Sequence, residues 1–136
     1  KMSKSDGPQT YISLFEEPES IRKKVMRATT DAGKEIVYLP AKKPGISNLL
    51  VIYSLFSEQS IQDTEKQFQG KGYAALKKSV AELLIEKLEP FRKKKKELQS
   101  RDLYLKEILK HGAKKARSIA SATMEDVRSK LGLLSF

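Results

Sequence analysis

The stretch Tyr73-Ala-Ala-Leu76-Lys-Lys-Ser-Val80-Ala-Glu-Leu83-Leu84-Ile-Glu-Lys87-Leu88-Glu-Pro90-Phe91 decides the class of fold. Leu76, Val80, Leu83, Leu84, Leu88 and Phe91 recur every three to four positions, with Lys87 the one polar intruder. That is the period of an α-helix with one buried face. Pro90 is expected to kink this helix rather than end it, because the apolar pattern resumes at Phe91 and Leu98.

Upstream, Gly70-Lys71-Gly72 reads as the stop of one helix and the restart of the next. A phosphate cradle is the other reading, but no strand precedes the glycines, as a P-loop requires. Ser60 is expected to cap a short helix ending near Phe68, and Ser47 to cap a helix through about Ser57. The second of these is apolar on most sides (Leu49, Leu50, Ile52, Tyr53, Leu55, Phe56), which places it in the middle of the core. Residues 29–46 are rich in turn formers and read as a long irregular connection. A first helix is predicted from Pro18 to about Ala28, with Ile21, Val25 and Ala28 on one face. Residues 1–10 read as a mobile polar loop, and Tyr11–Phe15 as a short apolar stretch.

Downstream, a fifth helix starts after Ser100 and uses Leu103, Leu105, Ile108 and Leu109 until Gly112 closes it. His111 then sits near that helix's C-terminus, where its charge suits the dipole. A sixth runs from Ala113 to Leu131 with Ala116, Ile119, Ala120, Met124, Val127 and Leu131 on one side. No alternating strand pattern and no repeat appears. The expectation is an all-α helical bundle of about six helices preceded by a flexible loop.

Composition narrows the chemistry. The 136 residues contain no cysteine and one histidine, which excludes disulfides, thiol catalysis and thiolate metal sites and leaves no His-based metal cluster. No metal-ligating residues are expected. Apolar runs such as Leu49–Tyr53 are far short of the ~20 residues that cross a bilayer, so no membrane partner is expected. The absence of a leader pattern makes the cytoplasm the expected compartment. Net charge is +10, unevenly placed: residues 1–89 carry 14 basic and 12 acidic groups, residues 90–136 carry 13 and 5. A basic half points to a polyanionic partner, or else to a Lys-rich solvated helix surface. The Lys93–Lys96 run admits both readings. Tyr53, Phe56, Tyr73 and Phe91 lie on apolar stripes and read as core rather than base-stacking platforms.

Lys1-Met2-Ser3-Lys4-Ser5 places two ammonium groups and two hydroxyls on a short loop. Such groups can grip phosphate oxygens where negative charge builds up. As bare chemistry the segment reads first as an ordinary polar terminus. Its spelling, however, resembles the second signature of class I aminoacyl-tRNA synthetases. Ile21, Lys24, Thr30-Asp31, the run Lys43-Pro44-Gly45-Ile46-Ser47-Asn48-Leu49-Leu50, Ile52-Tyr53, Gly70-Lys71-Gly72-Tyr73, Phe91 after Pro90, Gly112-Ala113-Lys115-Ala116 and Gly132-Leu133 are similar to the tryptophanyl branch of that family. The resemblance covers essentially all of the chain. Gly7 and Glu16-Glu17 depart from the pattern conservatively.

The resemblance implies the C-terminal part of such an enzyme, beginning at the signature. The first signature, the nucleotide-binding sheet and the tryptophan pocket would precede Lys1. Residues 1–15 would be the loop and connector, and 16–136 a helical tRNA anticodon-binding domain. Tryptophan would attack the α-phosphate of ATP, bound with Mg2+, and the activated amino acid would pass to the tRNA. Lys1 and Lys4 would stabilise the leaving pyrophosphate, Ser3 and Ser5 would position phosphate, and Met2 would seat the loop. The partners implied are ATP, tryptophan, its tRNA and a second subunit in a homodimer, and this part alone should be inactive. A stand-alone helical RNA-binding module, and a helical interaction protein without nucleic acid, are the rival readings. Steep loss of tRNA binding with salt separates the first rival from the second.

Overall fold

Proline and an acidic first turn start α1, which spans Pro18–Arg27. Pro18 occupies the first turn, where no intrahelical N–H bond is lost, and Glu19 faces the positive end of the dipole. Lys24 and Arg27 complement the other end, and Ala28 turns extended to stop the helix. These features belong to a computed structural model that describes Ser5 and residues 7–133. Among the described residues every regular element is a helix. The all-α expectation holds.

The chain divides into two units, Lys1–Lys93 and Lys94–Phe136. In the first unit α1 is followed by an irregular connection and then by α2, Pro44–Ser57. That start lies three residues before the predicted cap. Pro44 already has the φ a first turn needs, and Ser47 instead sits buried inside the helix. Its hydroxyl accepts the Leu39 N–H at 2.9 Å, tying the connection to the helix. Glu58, in the left-handed region at φ 58°, ends α2. The helix α3, Ile61–Phe68, starts as expected: the Ser60 hydroxyl accepts the Asp63 N–H at 3.1 Å. Gly70, at φ 75°, reverses the chain and α4 follows from Tyr73 to Gln99. The glycines are a stop and restart.

One core joins these helices. It contains Ile21 and Val25 of α1, Ile36 of the connection, Ile46, Leu49 and Leu50 of α2, Phe68 of α3, and Leu76, Val80, Ala81, Leu84 and Leu88 of α4. Phe68 is fully buried, and the Tyr53 ring meets it edge-on at 5.1 Å. Tyr53, Phe56 and Tyr73 pack against this core, as their apolar stripes imply. Leu55 is the exception on α2 and faces solvent.

Helix α4 runs through Pro90 without ending there. Beyond Leu88 its buried position is Arg92, not Phe91, which is about half exposed. A step of four along a helix stays on the Leu84–Leu88 row as well as a step of three does. Here Arg92 has partners that a phenyl ring could not use. Its guanidinium donates to the Ile85 carbonyl at 2.5 Å, the Glu16 carbonyl at 3.3 Å and the Glu89 carboxylate at 2.9 Å.

In the second unit α5 is a single helix, Asp102–Lys130, where two were expected. Gly112 does not close it. A glycine inside a helix costs only about 1 kcal/mol, which the flanking Lys, Ala and Arg residues offset. His111 is consequently in mid-helix and exposed, rather than near a C-terminus. No residue of α5 is buried.

Candidate functional site

The connection between α1 and α2 lacks regular backbone bonding, so side chains must hold it in place. Three of them do. The Tyr73 hydroxyl, at the start of α4, donates to Asp31 Oδ2 at 2.7 Å, and the Gly33 N–H reaches the same oxygen at 3.0 Å. Lys43, immediately before α2, donates from Nζ to the Glu35 carbonyl at 2.9 Å and to the Tyr73 hydroxyl at 3.3 Å, and its ammonium lies 3.9 Å from Asp31. The hydrogen bond from Tyr73, helped by the Gly33 N–H and by Lys43, holds the Asp31 carboxyl below its ordinary range. Burial, with donation to Asp31, pushes the Tyr73 hydroxyl up. Gly45 completes the junction. A Cβ there would lie 2.3 Å from the Thr29 carbonyl oxygen, so only glycine allows the two segments this approach.

This network gathers Thr30-Asp31, Lys43-Pro44-Gly45 and Tyr73, which are 12 and 30 residues apart in the chain. The sequence marks each as part of a resemblance but does not connect them. Beside it lies an open cleft of about 610 Å³, lined on one side by Lys34, Glu35, Ile36 and Val37 and on the other by Gln69, Gly70, Lys71 and Gly72. Glu35 and Tyr73 tie both walls to the network.

A second constellation anchors the segment 11–16. Lys24 pairs with Glu16 and donates to the Tyr11 carbonyl at 2.8 Å, while its ammonium lies 5.3 Å from the Tyr11 ring centre. Burial would raise the Glu16 carboxyl. Hydrogen bonds from Lys24, Ser20 and the Ser13 N–H outweigh it and hold the group low. The segment 11–16 is therefore pinned to α1.

Of the predicted phosphate-contacting residues, Lys1, Met2, Ser3 and Lys4 lie outside the described residues. Ser5 is exposed. No group of acidic or histidine side chains that could hold a metal occurs among the described residues. No described helix is long and apolar enough to cross a membrane.

The basic half divides into paired and unpaired charge. Lys93 lies 3.9 Å from Glu89, and Lys94 and Arg101 bond Glu97 at 2.8 and 2.9 Å. Hydrogen bonding from Lys94, with Arg101 nearby, keeps Glu97 below its usual range. Along α5, Lys106 bonds Asp102 and Lys130 bonds Asp126, each at 2.6 Å.

Comparison with known proteins bears on these features. The pattern of the family described as tRNA synthetases class I (W and Y) matches residues 1–89. The tryptophan–tRNA ligase of Caldanaerobacter subterraneus is 41% identical over 135 residues, covering 98% of this chain and 41% of that protein. That of Wolinella succinogenes is 42% identical, with the same coverage. The crystal structure of tryptophanyl-tRNA synthetase from Mycoplasma pneumoniae superposes with a TM-score of 0.67 at 27% identity, over 98% of this chain and 41% of that one. The chain thus spans about two-fifths of the length of these relatives.

Proposed function

The chain belongs to the class I tRNA synthetases of the tryptophan and tyrosine group, and on that premise we propose that it forms part of a tryptophan–tRNA ligase. In this reading residues 1–15 supply the ATP-contacting loop and its connector, and 16–136 the helical tRNA-binding region. The observation that carries it is the match of 98% of the chain to tryptophan–tRNA ligases, together with the Lys1-Met2-Ser3-Lys4-Ser5 spelling.

Tryptophan attacks the α-phosphate of ATP, which enters with Mg2+ as substrate, and pyrophosphate leaves. Negative charge grows on the β- and γ-phosphates as the bond to the α-phosphate breaks. Lys1 and Lys4 place ammonium groups there, so they stabilise the transition state more than the bound substrate. Ser3 and Ser5 position phosphate oxygens, and Met2 seats the loop. No side chain here is a nucleophile. The Glu16–Lys24–Tyr11 contacts support the reading because they give the loop a fixed base. The tRNA lies against the basic helical region, and two subunits act together in the cytoplasm.

Binding of the chain to a labelled tryptophan tRNA transcript tests this. Measurable affinity at about 50 mM salt, falling steeply as salt rises, is expected. No binding at low salt, with the chain folded, overturns the tRNA assignment.

A further inference from the structure

Helix α5 presents Lys106, Lys110, Lys114 and Arg117 at steps of four, four and three residues, so all four fall on one arc of its surface. All are exposed. At 1.5 Å per residue neighbouring members lie about 6 Å apart along the axis and the row spans about 16 Å. That repeat is close to the separation of successive phosphates in a nucleic-acid strand. Arg128, about three turns further on, returns to the same arc.

The row is also poorly neutralised. Between Asp102 and Thr123 the only carboxylates are Asp102, engaged with Lys106, and Glu107. Lys110, Lys114 and Arg117 form no ion pair among the described residues. In the neighbouring run of four lysines, by contrast, Lys93 and Lys94 both have carboxylate partners. Three unpaired cations in line can neutralise phosphates and so release the counterions condensed on a polyanion. Leu105, Ile108, Leu109, Ala116 and Ile119 occupy a different arc, interrupted by Gly112. A straight row of cations at this spacing complements a strand of phosphates. RNA fits this pattern.

We propose that the sugar–phosphate backbone of RNA lies along the Lys106–Lys110–Lys114–Arg117 ridge, and that this ridge, rather than the Lys93–Lys96 run, supplies most of the salt-sensitive binding. The proposal rests on the tRNA reading above and names the surface that reading uses.

The test compares two triple variants of the full chain: Lys110→Gln, Lys114→Gln, Arg117→Gln on the ridge, and Lys94→Gln, Lys95→Gln, Lys96→Gln on α4. Each removes three charges, and glutamine preserves helix propensity. Affinity for the tryptophan tRNA transcript is measured between about 50 and 200 mM salt, where the slope of log affinity against log salt counts neutralised phosphates. Each phosphate contact contributes about 0.7–0.9 to that slope, so the ridge variant should lose about 2–3 units and bind at least tenfold more weakly. The α4 variant should lose less than half as much. Equal losses in both variants would overturn the ridge, leaving only general charge, as would a ridge variant with the parent slope. In either case wild-type tRNA binding would still uphold the functional reading. Wild-type binding to phosphatidylserine vesicles but not to tRNA would overturn both.

Discussion

Replacing Gly45 by alanine tests how tightly the junction between α1 and α2 is built. In an open helix this substitution stabilises by about 1 kcal/mol, because alanine loses less backbone entropy on folding. Gly45 lies in the first turn of α2, so the same gain is available. Its new Cβ, however, would stand 2.3 Å from the Thr29 carbonyl oxygen and 3.1 Å from Thr30 Cα. Ordinary contact begins near 3.4 Å, so the segments must separate by about 1 Å. Both neighbours are backbone, and the next residue, Asp31, is tied to Tyr73. Overpacking of this kind costs about 1–3 kcal/mol, and displacing the Asp31 bonds places Gly45→Ala at the upper end. The net expectation is a loss of about 1–2 kcal/mol. For a unit of 93 residues each kcal/mol moves Tm by about 4–8 °C. Thermal unfolding followed by circular dichroism should therefore show a clear fall in Tm. An unchanged or higher Tm would refute the close approach.

Gly112→Ala should have the opposite sign, because its added Cβ meets nothing within 4 Å. Slower amide exchange across α5, from a gain of about 1 kcal/mol, is the expected reading. Glu16→Gln should weaken the fold by about 2 kcal/mol near neutral pH, since it leaves the Lys24 ammonium without its charge partner. The Glu16 carboxyl is held below its ordinary 4.5, so its contribution is present above that value and disappears as pH falls through the lower folded one. Urea midpoints of parent and variant should converge in acid and differ most at pH 7. Tyr73→Phe removes the leading hydrogen bond to Asp31, so NMR titration should find the Asp31 carboxyl shifted up toward 3.8.

Local signals were legible in the chain and long-range choices were not. Pro18, Ser60, Gly70 and the Leu76–Leu88 period each act within one or two turns, and the structure follows them. Ser47 misled because serine favours a cap, but its hydroxyl found the Leu39 N–H and Pro44 had already started the helix. Gly112 misled because a helix stop needs a residue that leaves helical dihedrals, and nothing there requires it. Arg92 takes the buried place expected of Phe91 through its partners, the Ile85 carbonyl and Glu89 on its own helix and the Glu16 carbonyl 76 residues away in sequence. The Asp31–Lys43–Tyr73 network arises in the same way. The phosphate-contacting role proposed for Lys1 and Lys4 rests on family spelling alone, since two lysines and two serines carry no geometry by themselves.

Joining this chain to the part of the Caldanaerobacter subterraneus ligase that it does not match, and measuring pre-steady-state adenylate formation with tryptophan, tests the role of the loop most directly. The chimera should form tryptophanyl-adenylate, and Lys4→Ala should slow the step roughly a hundredfold, about 3 kcal/mol of transition-state stabilisation, with little change in tryptophan affinity. A folded chimera that forms no tryptophanyl-adenylate, or in which Lys4→Ala stays within about threefold of the parent rate, would contradict it.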